Sequence, residues 1–325
     1  MGIRIIKPGI ADSIQDMGRY GYQQLGIPPG GVMDRIAATI ANTLVGNQIT
    51  EPVLEMHFPA ATIFFETSMM IALTGADFAA EVNGFEILIN QPILVPSNSE
   101  LRFTKHKKGS KAYLSVEEGF ETSSWLGSCS TSSQLHKGGI HGRNLIKNDF
   151  LAFKNQEDLE IDTLMHLPWR ASMAEFYTNN QIHFIPGAEF PLLEKISQQG
   201  LVTNDFKITN QSNRMGYRLE GQALLLGDKK ELLSTAVSFG TMQLLPNAQI
   251  IVLMADHQTT GGYPRIGQVA TSSLPTLAQA SAGEFISFIS ISQEEAESLF
   301  LQQQQNLQQL QNACNFRLQE YFKNE

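Results

Sequence analysis

The sequence predicts a mainly β protein made of two β-rich subdomains, with a few helices and a C-terminal helix. Three observations carry that reading. Apolar runs are short, rich in Val, Ile, Phe and Tyr, and separated by turn signals such as Asn83-Gly84, the pattern of a sandwich or barrel more than of βαβ units. Only three segments space their apolar residues at helical intervals. A length of 325 residues, at about 150 per domain, gives two domains or one large one.

Residues 60–73 form a largely apolar stretch that Thr74-Gly75-Ala76-Asp77 closes with turn chemistry, and strands are expected at 81–89, 91–96 and 112–116. The second half repeats the style at 181–185, 216–226, 250–254 and 283–291. Asp34 is placed to cap a first helix whose apolar face is Ile36, Ala37, Ile40, Ala41, Leu44 and Val45, with Gly46 as its stop. Residues 190–199 are a second, shorter candidate that Gly200 ends. In the tail, Ser292 and Glu295 have capping-box spacing, and Ala296, Phe300, Leu307, Leu310, Cys314, Leu318 and Tyr321 continue in helical phase. Its many glutamines then fall mainly on the wet face; a glutamine-rich disordered tract is the competing reading. A boundary is expected where Leu167-Pro168-Trp169-Arg170 precedes a stretch ending Thr178-Asn179-Asn180. The division is therefore 1–170, 171–291 and a helical tail at 292–325.

Composition narrows the function. Lys plus Arg is 23 and Asp plus Glu is 32, a net charge of −9, which argues against a nucleic-acid groove or an anionic-membrane surface. Charged residues are 17% of the chain against about 25% in a typical domain, a hint that a partner covers part of the surface. Two cysteines make neither a disulfide framework nor a four-cysteine zinc site. With no secretory h-region and no apolar stretch of membrane-spanning length, a cytoplasmic protein is expected.

The common catalytic signatures are missing: no Walker A spacing, no Rossmann glycine fingerprint, no histidine pair at helical metal-ligand spacing and no nucleophile elbow. Gly138-Gly139-Ile140-His141-Gly142-Arg143 is glycine-rich but lacks the lysine and hydroxyl of a phosphate loop. Cys129, among glycine and hydroxyl neighbours, reads as an idle thiol sooner than as a nucleophile, because no histidine partner is identifiable.

Three segments are denser in functional residue types. Asp256-His257-Gln258-Thr259-Thr260-Gly261-Gly262-Tyr263-Pro264 follows an apolar strand. Its paired glycines admit close backbone approach to an oxyanion, carboxylate or phosphate; a hairpin turn with capping hydroxyls is the alternative. Gln211-Ser212-Asn213-Arg214-Met215-Gly216 sets a forked cation beside amides, either as an anion receptor or as an arginine tying down a loop. The long Gly/Pro loop from Gln15-Asp16-Met17-Gly18-Arg19 to Gly30-Gly31-Val32-Met33-Asp34 is either functional or packed under something, since ordering it is costly.

These segments resemble the urea amidolyase-type carboxyltransferase family, whose members include KipA-like proteins and the C component of 5-oxoprolinase. The matching stretches are Ser13-Ile14-Gln15-Asp16-Met17-Gly18-Arg19, Gly26-Ile27-Pro28-Pro29-Gly30-Gly31-Val32-Met33-Asp34, Leu44-Val45-Gly46-Asn47, Gln211 to Gly216 with Leu219-Glu220-Gly221, and residues 258–264, in order across about 5 to 290. The resemblance implies a second subdomain built as a cyclophilin-like β-barrel. It also implies a KipI-like partner, similar to the B component of 5-oxoprolinase, a further A component, and a small amide substrate activated with ATP, bound at the complex or on this chain. Thr259, Thr260, Gly261 and Tyr263 are then the expected catalytic turn, and Asn213, Arg214, Gln258, Asp16 and Arg19 the expected substrate-binding residues; no metal ligand is expected. An antagonist of a KipI-like kinase inhibitor, or the carboxyltransferase component of a urea carboxylase-like enzyme, are the alternative readings. Departures from the family pattern are Ser234-Thr235-Ala236, where Ser-Glu is expected, Cys129 in place of an arginine, and Glu117-Glu118 where small residues are common. No Ala-Met-Lys-Met segment is present, so biotin, if used, arrives on another chain.

Overall fold

The computed structural model describes residues 1–154, 161–227 and 232–323. They divide into two compact units: Met1–Arg19 with Asp34–Ala174 and Asn306–Glu325, and Tyr20–Met33 with Glu175–Gln305. The division does not run linearly along the chain. The loop from Tyr20 to Met33 groups with the second unit, because Met33 is part of that unit's core and the Gly31 carbonyl accepts from Arg214 at 2.6 Å. The tail is one helix, its residues to Gln305 grouping with the second unit and those from Asn306 with the first.

The first unit holds two six-stranded sheets. One runs, in spatial order, Phe150–Ala152, Gly2–Lys7, Thr62–Phe65, Ser99–Phe103, Ala80–Val82, Phe85–Glu86; the other runs Met165–His166, Pro92–Val95, Met69–Asp77, Lys108–Val116, Val53–Met56, Ser13–Gln15. Residues of both sheets, among them Ile3, Ile63, Phe65, Ile71, Leu101 and Leu114, meet in one fully buried core. The central strand Met69–Asp77 is buried almost throughout, and Lys108–Val116 is buried from Lys111 onward. Their second face is covered by helix α1, Arg35–Leu44, whose Ala37 carbonyl accepts from the Thr74 hydroxyl at 2.7 Å. As predicted, Asp34 caps α1, accepting from the Ala37 N–H at 3.0 Å.

The apolar stretch at 60–73 is two strands, Thr62–Phe65 and Met69–Asp77, and the expected turn at 74–77 lies inside the second. Gly75, at φ 79°, pairs with Ala112 where the register against Lys108–Val116 shifts, the extra residues lying on that partner strand, so turn residues serve here opposite a bulge. Residues 81–89 fold back as a hairpin, with Asn83 (φ 52°) and Gly84 (φ 85°) at its tip.

In the second unit seven strands close into a barrel in the order Gln181–Pro186, Arg265–Val269, Thr241–Leu244, Ile250–Leu253, Gly216–Glu220, Asp205–Ile208, Phe285–Ser290. The barrel expected for this half is therefore present, closed by a parallel pairing of its first and last strands. Phe184, Phe206 and Phe288 fill its interior; the Phe288 ring centroid lies 5.9 Å from that of Phe184 and 5.7 Å from that of Phe206. Helix α2, Lys195–Thr203, starts later than expected, after a 3-10 turn at Phe190–Leu192, and runs through Gly200 rather than ending there. Gly200 serves packing: a Cβ on it would stand 2.4 Å from the Gln222 side chain. Helix α3 is Leu274–Gln279 and helix α4 is Gln293–Lys323. The capping box at the start of α4 forms, with the Ser292 Oγ accepting from the Glu295 N–H at 3.1 Å and Glu295 accepting from the Ser292 N–H at 2.8 Å. Ala296, Leu307, Cys314 and Leu318 are buried, so the tail is a helix and not a disordered tract through its described length. Among the described residues no helix is long and apolar enough to cross a membrane.

Candidate functional site

The expected site residues fall into two groups, one in each unit. In the first unit Asp16 and Arg19 turn inward. The buried Asp16 carboxylate accepts from the Gly18 N–H (2.8 Å), the Ser128 hydroxyl (2.7 Å), the Cys129 N–H (2.5 Å) and the Ser130 hydroxyl (2.5 Å). Arg19, almost wholly buried, donates to the Ser130 carbonyl and lies over the Trp125 ring at 5.1 Å. Together they organise the segment carrying Cys129. The glycine-rich loop packs on the same segment. The Gly139 N–H donates to the Cys129 carbonyl at 2.7 Å, and a Cβ on Gly138 would stand 2.0 Å from the Ser130 carbonyl oxygen. Those glycines are explained by close backbone approach.

In the second unit, Thr260–Gly261 pairs with Thr235–Ala236 as a short antiparallel ribbon, with Thr235 directly opposite Gly261. The position where a glutamate was expected thus faces the glycine turn, and the threonine there is exposed. Gly261 rests on the side chain of Gln243, where an added Cβ would lie 2.5 Å from Nε2. Only glycine fits that approach without displacing a buried amide.

Asn213, Gln258 and Tyr263 are brought together with Gln243 around a cavity of about 400 Å³ on the outside of the barrel. The outward position follows from strand alternation. Tyr217, Leu219, Met242, Leu244, Ile250 and Val252 point into the barrel core, so Arg218, Gln243 and Ile251 point out. These three form one row across adjacent strands, since Arg218 and Gln243 both pair with Ile251. Gly216 makes room for Ile251, whose Cδ1 a Cβ there would meet at 2.7 Å. A second cavity of about 400 Å³, lined by Ala236, Val237, Arg265 and Gln268, borders the other strand of the ribbon.

Arg214 does not point a bare fork at this cavity. Its Nε and Nη2 donate to the two Asp256 carboxylate oxygens at 2.8 Å and 2.9 Å, and Nη2 also donates to the Gly31 carbonyl. These are the contacts of an arginine tying down a loop. His257, beside Asp256, is buried; burial holds it below the ordinary imidazole range. Its Nδ1 lies 2.6 Å from the Gln258 carbonyl, which can only accept, so Nδ1 carries the proton.

Sequence reasoning missed Arg218 and Gln243. The signal for Arg218 was a charged residue at an out-facing position of a strand beside the recognised Leu219-Glu220-Gly221. For Gln243 there was none, because its side chain is wholly buried under a ribbon whose pairing joins residues distant in sequence. Among the described residues no cluster of three or more His, Cys, Asp or Glu side chains could hold a metal ion.

Residues 25–290 match the family described as carboxyltransferase domain, subdomain A and B. The chain is 36% identical over 310 residues to the C component of 5-oxoprolinase from Escherichia coli (strain K12), covering 95% of this chain and 97% of that protein. It is 34% identical over 287 residues to the corresponding 5-oxoprolinase component of Haemophilus influenzae, covering 88% of this chain and 90% of that one. Among solved structures, the Kluyveromyces lactis urea carboxylase superposes with a TM-score of 0.87 at 26% identity, over 95% of this chain but 29% of that chain.

Proposed function

The chain belongs to the carboxyltransferase-domain family, and from that premise we propose that it is a subunit of an ATP-dependent 5-oxoprolinase-like enzyme that opens a small cyclic amide. The observation carrying this reading is the match to the C component of a 5-oxoprolinase over nearly the full length of both chains. An enzyme whose components are lettered has several, and we assign this one a KipI-like B component and an A component as companions, in the cytoplasm, without activity on its own. A lactam is a poor electrophile, so its opening needs donors that polarise the carbonyl oxygen. The ribbon residues Thr259, Thr260, Gly261 and Tyr263 are assigned that role, with Asn213 and Gln258 contacting substrate. Arg214 acts one step back, holding the loop that carries Asp256, and Asp16 and Arg19 shape the Cys129 segment of the other unit.

ATP fits the cavity beside the ribbon poorly. The cavity beside the ribbon offers a single guanidinium, that of Arg218, to a polyphosphate. We therefore place the nucleotide on the assembled complex, and no step at the ribbon passes through it. The structural likeness to a urea carboxylase supports a second reading, a carboxyltransferase component served by biotin on another chain.

The deciding experiment mixes this chain with its KipI-like partner and the remaining oxoprolinase component, and measures 5-oxoproline-dependent ATP hydrolysis and glutamate. Glutamate formed only when this chain is present is the expected result. Tight partner binding without turnover would transfer the chain to the antagonist reading, and urea-dependent turnover with a biotin carrier to the carboxyltransferase one. Within an active complex, Thr260→Ala with unchanged kcat and KM removes the ribbon from the chemistry.

A further inference from the structure

The outer cavity of the barrel has a composition that selects a ligand. Five side-chain amides line it, from Gln211, Asn213, Gln243, Asn247 and Gln258, together with one guanidinium, and no acidic side chain lines it among the described residues. The guanidinium is that of Arg218, half-buried, with no hydrogen bond or ion pair to its side chain among the described residues. Two rungs away across Ile251 stands Gln243, whose side chain is wholly buried and whose Oε1 receives no hydrogen bond among the described residues. Its Nε2 makes one long contact, 3.5 Å to the Tyr263 carbonyl. A buried acceptor without a donor is costly, at about 1–3 kcal/mol, and a ligand N–H that reaches it recovers that loss.

The row therefore offers a cation at one end, an amide oxygen at the other and an apolar floor, Ile251, between them. Neighbouring strands lie about 4.8 Å apart, so the two end residues are separated at the backbone by roughly 10 Å. Both residues line the cavity, with Ile251 between them. The volume, about 400 Å³, lies at the small end of the range for ligand sites.

Resting on the oxoprolinase reading above, the geometry points to this cavity as the subsite for a carboxylate-bearing lactam. The Arg218 guanidinium holds the carboxylate, the Gln243 Oε1 accepts the lactam N–H, and the ring lies on Ile251. Gln258 and Tyr263, exposed at the rim, supply donors for the lactam carbonyl. Gly261 and the Tyr263 backbone close over the Gln243 amide, so the ligand N–H reaches it when the ribbon lifts from that side. The carboxylate receptor is thus Arg218 and not Arg214, whose fork is committed to Asp256 and Gly31.

The test uses the full chain, free and in its assembled complex. The probes are 5-oxoproline, 2-pyrrolidinone (the lactam without carboxylate) and cyclopentanecarboxylate (the carboxylate without lactam), titrated calorimetrically. The wild type is expected to bind 5-oxoproline tightest. Arg218→Gln should weaken 5-oxoproline and cyclopentanecarboxylate at least tenfold and leave 2-pyrrolidinone unchanged. Gln243→Leu should weaken 5-oxoproline and 2-pyrrolidinone while sparing cyclopentanecarboxylate. Should Gln243→Leu fail to fold, Arg218→Gln, at a half-exposed site, still decides through the KM for 5-oxoproline in the complex. An active complex whose KM is unmoved by Arg218→Gln overturns the subsite and leaves the oxoprolinase reading standing. Arg218-dependent binding of 5-oxoproline by a complex without turnover upholds the subsite while the oxoprolinase reading falls. Binding of none of the probes, by chain or complex, overturns the subsite.

Discussion

Truncating Arg214 to alanine is expected to loosen the second unit before it touches any ligand. The guanidinium makes two charge-assisted hydrogen bonds to Asp256, at 2.8 Å and 2.9 Å, and a third, at 2.6 Å, to the Gly31 carbonyl. The side chains are 16% and 25% exposed, between the surface limit, where a pair contributes about 0–1 kcal/mol, and the buried limit, where breaking one costs about 3–5 kcal/mol. Hydrogen bonds to charged groups contribute about 1.5–3 kcal/mol. Arg214→Ala is accordingly expected to cost about 2–3 kcal/mol, with a coupling to Asp256→Asn of about 1.5 kcal/mol in a double-mutant cycle. Tryptophan fluorescence is the wrong probe, because Trp125 and Trp169 both belong to the first unit. Calorimetry, with hydrogen exchange on peptides covering 20–33 and 250–258, follows the second unit directly. In those peptides exchange should quicken in Arg214→Ala and in Asp256→Asn alike. A variant that melts and exchanges like wild type while the KM for substrate rises refutes the loop-tying role and returns Arg214 to ligand binding.

Three further outcomes are expected. Asp12 is buried and accepts from the His57 and Ala61 N–H groups at 3.1 Å and 2.7 Å, but desolvation outweighs them and raises its pKa to about 7. A raised carboxyl binds its proton more tightly in the folded chain, so its contribution is complete below about pH 4 and is lost as pH rises to about 7, by up to ~4 kcal/mol. Asp12→Asn, which cannot ionise, should gain on wild type steadily over that interval in urea melts, and a pH-independent difference would contradict this. Gly138→Ala places a Cβ 2.0 Å from a backbone carbonyl oxygen at φ 71°, a clash with no side chain free to yield, and should cost about 3 kcal/mol or more; a wild-type melting temperature would refute it. Phe184→Ala, at a wholly buried ring in the barrel, should cost about 3–5 kcal/mol, read as a lowered calorimetric transition of the second unit only.

Local signals in the sequence determined the elements. The Asp34 cap, the capping box at Ser292 and Glu295, and the short strands of the second half depend on side chains a few residues apart; the caps formed as read, and the strands formed near their expected places, the one read at 216–226 ending at Glu220. The family was legible as well, since its motifs are runs of consecutive residues. Where reading went astray, a long-range contact had overridden a local preference. Gly200 looked like a helix stop but is a packing contact with Gln222, and Gly75 looked like a turn but lies inside a strand, paired opposite a bulge of its partner. Only the tertiary structure decided which polar residues share a cavity. Arg218 and Gln243 are distant in sequence and become neighbours through pairing with Ile251, and Arg214, which looked available, is spent on Asp256 and on a carbonyl from the distant Gly31. A sequence fixes what each residue offers, a charge, an amide or a missing Cβ. Which offers are already taken depends on strand register and burial, and those are properties of the folded chain.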